Sequence, residues 1–239
     1  MQLVINLTQR TFTIVQISLS TAIILAGLAA YLFEHFTGHG SLMGFLWLLN
    51  VESEQSIPTY FSVLNLLLSA LLLFIIYIYE KKNKSKHYRY WLFLSLLFLF
   101  LSIDESASIH ENFQRVHETL VSNNIIPSLL DSHQWLPFGI LFVLAVGIVT
   151  FPFLIALPSK TRLLFLLSAL VFLIGAMGFE YLGSWMLTNQ IVETRVDLAY
   201  KIRRIFEEGF EIYGIVLFNC VLYREILNRK ISLNLNISN

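Results

Sequence analysis

The sequence predicts an all-α fold, a polytopic bundle of six transmembrane helices with both termini in the cytoplasm, and three observations carry that prediction. Of 239 residues, 56% are hydrophobic and only 13% charged, about half the charge of a soluble domain. Apolar runs of the length needed to cross a hydrocarbon core about 30 Å thick recur along the whole chain. The lysines and arginines gather in alternate connections between those runs. The same composition argues against disorder, which requires few apolar residues and a high net charge. The formal net charge of zero offers no basic footprint for nucleic acid, which is not expected as a partner.

Taken in order, the expected spans cover residues 11–33, 59–79, 89–105, 136–157, 162–187 and 205–223 of a single integral-membrane domain, 1–239. Thr11 to Phe33, Phe61 to Tyr79 and Leu136 to Leu157 contain no charged side chain. Pro137 and Pro152 punctuate the third of these, as membrane helices allow when neighbours satisfy the freed carbonyls. The run Leu163 to Leu187 is interrupted only by Glu180. Trp91 to Ile103 and Ile212 to Tyr223 are too short to cross alone, so each is expected to take flanking carboxylates partly into the membrane. The first run is too long for a secretory signal and reads as a retained span. Ser41 to Leu49 is too short to span and reads as an interfacial or re-entrant lid, whereas Ser106 to Ser122 carries an amphipathic stripe that either prolongs span three or bends onto the membrane. The single cysteine, Cys220, reads as a small packing residue, and Asn6, Asn83 and Asn236 begin chance glycosylation triplets on the inner side.

Charge sets the orientation. Lys81, Lys82, Lys84, Lys86 and Arg89 crowd the connection between spans two and three, which the positive-inside rule assigns to the cytoplasm. Arg10, Lys160, Arg162, Arg224, Arg229 and Lys230 then fall on the same side. The inner side holds these eleven cations against Glu80 and Glu225, a net of +9, and the outer side holds five cations against fourteen acids, a net of −9. Localisation in the cell inner membrane, with the acidic face extracytoplasmic, follows. The rule makes no demand on Asp and Glu, so the outer acids need their own explanation.

At 1.5 Å per residue, Asp104, Glu180, Glu208 and Glu211 rise roughly 20 to 27 Å from the inner ends of three different helices, which places them in one layer. His110 and Glu111 lie a turn or two above. On span five Ala176, Gly183 and Ser184 flank Glu180, and small residues admit a close neighbouring helix; span five itself carries no arginine to neutralise it. Carboxylates within a membrane segment are costly and call for a partner. Arg203 with Glu207 and Arg204 with Glu208 are spaced as i,i+4 ion pairs, which would make two of the acids structural. His35, His39, Glu52, Glu54, Glu118, Asp131 and His133 read as interfacial or solvated residues.

The strings Ser102-Ile-Asp-Glu-Ser-Ala-Ser-Ile-His-Glu111 and Glu207-Glu-Gly-Phe-Glu211, with Glu180 between them, resemble a pattern in uncharacterised multi-pass bacterial membrane proteins. The resemblance implies a shared acidic site and no particular chemistry. Intramembrane CAAX-type proteases pair Glu-Glu-x-x-x-Arg with histidines in later helices, which this chain lacks after His133.

Oxygen and imidazole donors suit Fe, Mn or Zn, and helical bundles build dinuclear sites from carboxylates and histidines. The expected reading is therefore a mono- or dinuclear divalent metal site with Asp104, Glu105, His110, Glu111, Glu180, Glu208 and Glu211 as ligands. His110 and Glu111 would serve as catalytic acid or base in an oxidoreductase or hydrolase of a lipid or membrane-embedded substrate. A cation or proton transporter, and a non-enzymatic assembly or sensor protein, are the alternatives. The bilayer is the one partner the sequence identifies; protein partners are not specified.

Overall fold

The computed structural model describes residues 7–40, 42–53, 55–110, 112–125 and 135–231, and the described residues contain helices and no strand. The helices are α1 (Gln9–Thr37), a 3₁₀ turn (Leu42–Gly44) leading into α2 (Phe45–Leu48), α3 (Ile57–Lys82), α4 (Tyr88–Ala107), α5 (Asn112–Ser122), α6 (Leu136–Ala156), α7 (Ser159–Leu173), a π segment (Ile174–Phe179) continuing into α8 (Glu180–Thr188), and α9 (Leu198–Asn228). Five stretches are long and apolar enough to cross a membrane: α1, α3, α4, α6 and the continuous run Ser159–Thr188. In α9, charged residues at both ends leave an uncharged stretch of only Ile212 to Tyr223.

Local chemistry sets the helix ends. The Thr8 hydroxyl accepts from Thr11 N–H to open α1, and Gly38 closes it at φ 69°, the left-handed conformation glycine adopts without strain. Ser56 caps α3 in the same way, with Pro58 in the first turn. Helix α4 stops where Ser108 turns left-handed at φ 47°, so the chain bends into α5 and span three is not prolonged. Buried His117 anchors α5, while Phe113 and Val116 stay exposed on it. The segment expected as a lid holds α2, and Met43, Phe45 and Trp47 on it project outward as exposed apolar side chains suited to a membrane interface.

Helix α9 is the axis of the molecule, lying against α1, α3, α7 and the π segment. Its apolar stretch joins Leu73, Ile76, Trp91, Phe153 and Phe165 in the main core through Ile212, Val216, Phe218 and Leu222. Polar contacts tie it at mid-depth, where Ser69 donates to Asn219 Oδ1 at 2.6 Å and Asn219 Nδ2 donates to the Asn65 carbonyl at 3.1 Å. Helices α3 and α4 form a hairpin in which Ser95 and Ser102 donate to the Ala70 and Val63 carbonyls at 2.8 and 3.0 Å. Small hydroxyl residues at such interfaces let the backbones approach and substitute for the missing hydrophobic drive between helices in lipid.

Candidate functional site

The acidic residues of α9 meet the π segment and α8 at one end of the bundle. Gly175 makes this possible: a Cβ there would stand 2.7 Å from Glu211 Cγ and 2.8 Å from both the Glu207 carbonyl oxygen and the Glu211 nitrogen. The π segment backbone is thus pressed onto the Glu207–Glu211 turn. Gly183, two turns on, leaves room for the Arg203 guanidinium, whose Cζ would be 2.7 Å from a Cβ at that position. A π turn carries one residue more than an α turn, and such insertions recur at functional sites. Here it puts Gly175 and Glu180, five residues apart, on the buried side together.

Glu180 is buried and accepts from Trp135 Nε1 at 3.3 Å, while Arg204 Nη1 lies 3.7 Å from its other oxygen. Span five supplies no arginine, but α9 does. Arg204 also donates to Glu207 Oε1 at 3.0 Å and to Glu52 at 3.2 Å, so its partners are Glu207, Glu180 and Glu52, and the expected i,i+4 pairing with Glu208 is not the one formed. Arg203 pairs with Glu207 as its spacing predicts, and Arg203 also donates to the Phe179 carbonyl. Glu207 therefore sits between two guanidiniums, buried with Arg203.

Glu208 and Glu211 are different. Both are partly buried, and each lies within electrostatic reach of Glu105, Glu207 and Glu180. Among the described residues neither forms an ion pair with lysine or arginine. Residues 41, 54, 111 and 126–134 include no lysine or arginine.

Asp104 and His110 form a second element. Asp104 accepts from the His110 backbone N–H at 2.8 Å and faces His110 Nδ1 at 3.1 Å, bracing the turn at Ser108. The His110 ring meets Trp135 edge-on at 5.2 Å between centroids. Trp135, which composition alone did not single out, therefore bridges the Asp104–His110 pair to Glu180. Its only sequence signal is its place just before Pro137 at the start of an apolar run.

Of the expected ligands, Glu105 and Glu180 lie within electrostatic reach of Glu208 and Glu211, and Trp135 links Glu180 to the Asp104–His110 pair. Glu111 lies outside the described residues, as do Glu54, Asp131 and His133. Among the described residues no group of three or more His, Cys, Asp and Glu is placed so that it could hold a metal ion. His35 and His39 are exposed, and Glu118 accepts from Gln114 at 3.1 Å on the exposed side of α5.

Fold and site together describe an all-helical protein with five helical stretches long and apolar enough to cross a membrane and with several carboxylates at one end of the bundle. The chain belongs to the family described as Domain of unknown function (DUF8692), whose model matches residues 17–226. No curated protein and no solved structure matches it.

Proposed function

We propose that the chain crosses the bacterial inner membrane six times, with α9 as the sixth span and both termini in the cytoplasm. The acidic end then faces the extracytoplasmic side and takes a divalent cation, Fe, Mn or Zn, in a metal-dependent enzyme acting on a lipid or other membrane-embedded substrate. The observation that carries this reading is the pair Glu208 and Glu211, partly buried among further carboxylates, with Arg204 within electrostatic reach of Glu208 and, among the described residues, no lysine or arginine at ion-pair distance from either. Carboxylates so crowded in a membrane segment demand a proton or a cation. Glu105, Glu208 and Glu211, with Glu111 next to His110 in the chain, would supply oxygen ligands. Asp104 orients the His110 ring in the manner that carboxylates orient imidazole ligands and bases. The metal would supply Lewis-acid or redox chemistry.

The core below the site favours catalysis over conduction. Between Glu211 and Arg224 α9 carries no charged side chain; Ile212, Ile215, Val216 and Leu222 are buried there, and the buried amide of Asn219 is taken up by Ser69 and Asn65, so no ionisable chain continues from the acidic end. Metal analysis of gently purified protein tests the reading. Wild type should carry metal that the Glu208→Gln/Glu211→Gln variant loses. A content below ~0.2 metal per chain in wild type, without gain on reconstitution, sinks it.

A further inference from the structure

We infer that the opposite end of the bundle holds a specific binding site for an anionic phospholipid, in a groove between α3 and α4. The groove has a volume of about 650 Å³ and is lined by Phe74, Tyr77, Ile78, Lys81, Lys82 and Leu92. Its composition changes along its length as a phospholipid's does. Phe74, Ile78 and Leu92 make an apolar channel at membrane depth, Tyr77 follows, and the two lysines close α3 at the end of the groove. An acyl chain would lie against the apolar residues, and the phosphate would sit between the ammonium groups.

Charge identifies the occupant. Residues 80–89 contain five lysines and arginines and one acid, Glu80. Glu80 does not neutralise the groove, because it accepts from Arg229 Nε at 2.9 Å across to α9. Arg229 in turn pairs with Glu225, whose other oxygen accepts from Thr161 at 2.8 Å. The acids of this end are thus turned inward, and Lys81 and Lys82 remain exposed toward the groove and the solvent. Lys81 Nζ lies 5.5 Å from the centre of the Tyr77 ring, which directs it toward the groove wall. A zwitterionic headgroup carries its own cation and gains less from two neighbouring ammonium groups, whereas an anionic headgroup gains from each basic residue near it.

Native mass spectrometry of the full-length protein in detergent, titrated with phosphatidylglycerol or phosphatidylcholine, tests the site. Wild type is expected to retain phosphatidylglycerol about tenfold more tightly. Lys81→Gln/Lys82→Gln should abolish that preference while its melting temperature in neutral lipid stays that of wild type, and Lys84→Gln/Lys86→Gln should keep it. Ile78→Trp, which fills the apolar channel and leaves every charge in place, should abolish it too, and serves if the double lysine variant does not fold. Equal retention of the two lipids by wild type overturns the inference. So does equal loss in both lysine pairs, the mark of diffuse attraction to a basic loop, or full retention by Ile78→Trp.

Discussion

Arg204 on α9 reaches Glu180 on α8 across 3.7 Å, and this contact joins two helices that the chain separates by the turn at residues 189–197. It accounts for a carboxylate buried in an apolar run that carries no arginine of its own. It also divides the acidic cluster in two: Glu180 and Glu207 have guanidiniums within ion-pair distance, whereas among the described residues Glu208 and Glu211 have none that close.

Removing Arg203 leaves Glu207 buried with one partner fewer. Arg203→Gln should destabilise the protein by about 3 kcal/mol, since breaking one side of a buried pair costs more than the pair contributes. Arg203→Gln/Glu207→Gln should recover most of that loss. Thermal unfolding in a fixed detergent measures both, and a double variant as unstable as the single would contradict the pairing.

Gly175→Ala places a methyl group against backbone atoms of Glu207 and Glu211 that cannot step aside. A loss of about 1 to 3 kcal/mol is expected, as for overpacking elsewhere, together with weakened metal retention. Gly147 has open space where its Cβ would be, so Gly147→Ala on α6 should be neutral or slightly stabilising. Comparing the two melting temperatures separates close approach from helix propensity.

Asn219 is fully buried and joins α9 to α3 through Ser69 and Asn65. Asn219→Leu keeps the volume and removes the side-chain hydrogen bonds to Ser69 and Asn65, with an expected cost of about 1 kcal/mol. Unfolding in mixed micelles reads the difference; a gain in stability would mean that packing alone holds this interface.

Asp197 precedes α9 and accepts from the Thr194 N–H at 3.1 Å and the Glu193 N–H at 2.7 Å. These bonds, that from Thr194 foremost, hold its carboxyl below the usual carboxylate range. A depressed folded pKa contributes stability that is present above the unfolded value, about 3.9, and lost as pH falls through the folded one. The stability gap between wild type and Asp197→Asn should therefore be constant near neutrality and narrow below about pH 4. Melting temperatures across that range measure it.

Much of the architecture is legible in the sequence. Apolar runs and their flanking charges mark five membrane-length helices, because hydropathy and length are local, additive properties of a segment. Helical rise alone puts Asp104, Glu180, Glu208 and Glu211 at one height; in the structure it is the neighbouring Glu105 that lies within electrostatic reach of Glu208 and Glu211, while Asp104 pairs with His110. The i,i+4 rule also found Arg203 with Glu207, a contact within one helix. It misassigned Arg204, whose partners depend on which helix lies opposite.

Segment composition and the approximate height of each carboxylate are therefore properties of the sequence by itself, since a helix rises by the same step whatever surrounds it. Tertiary structure decided which carboxylates are neutralised. The π segment adds a residue to its turn and so changes the rotation of α8, bringing Glu180 round to Arg204 and Trp135. Gly175 and Gly183 let α9 come close enough for those contacts to form. Rotation and distance between helices arise from packing among residues far apart in the chain, and no local periodicity encodes them.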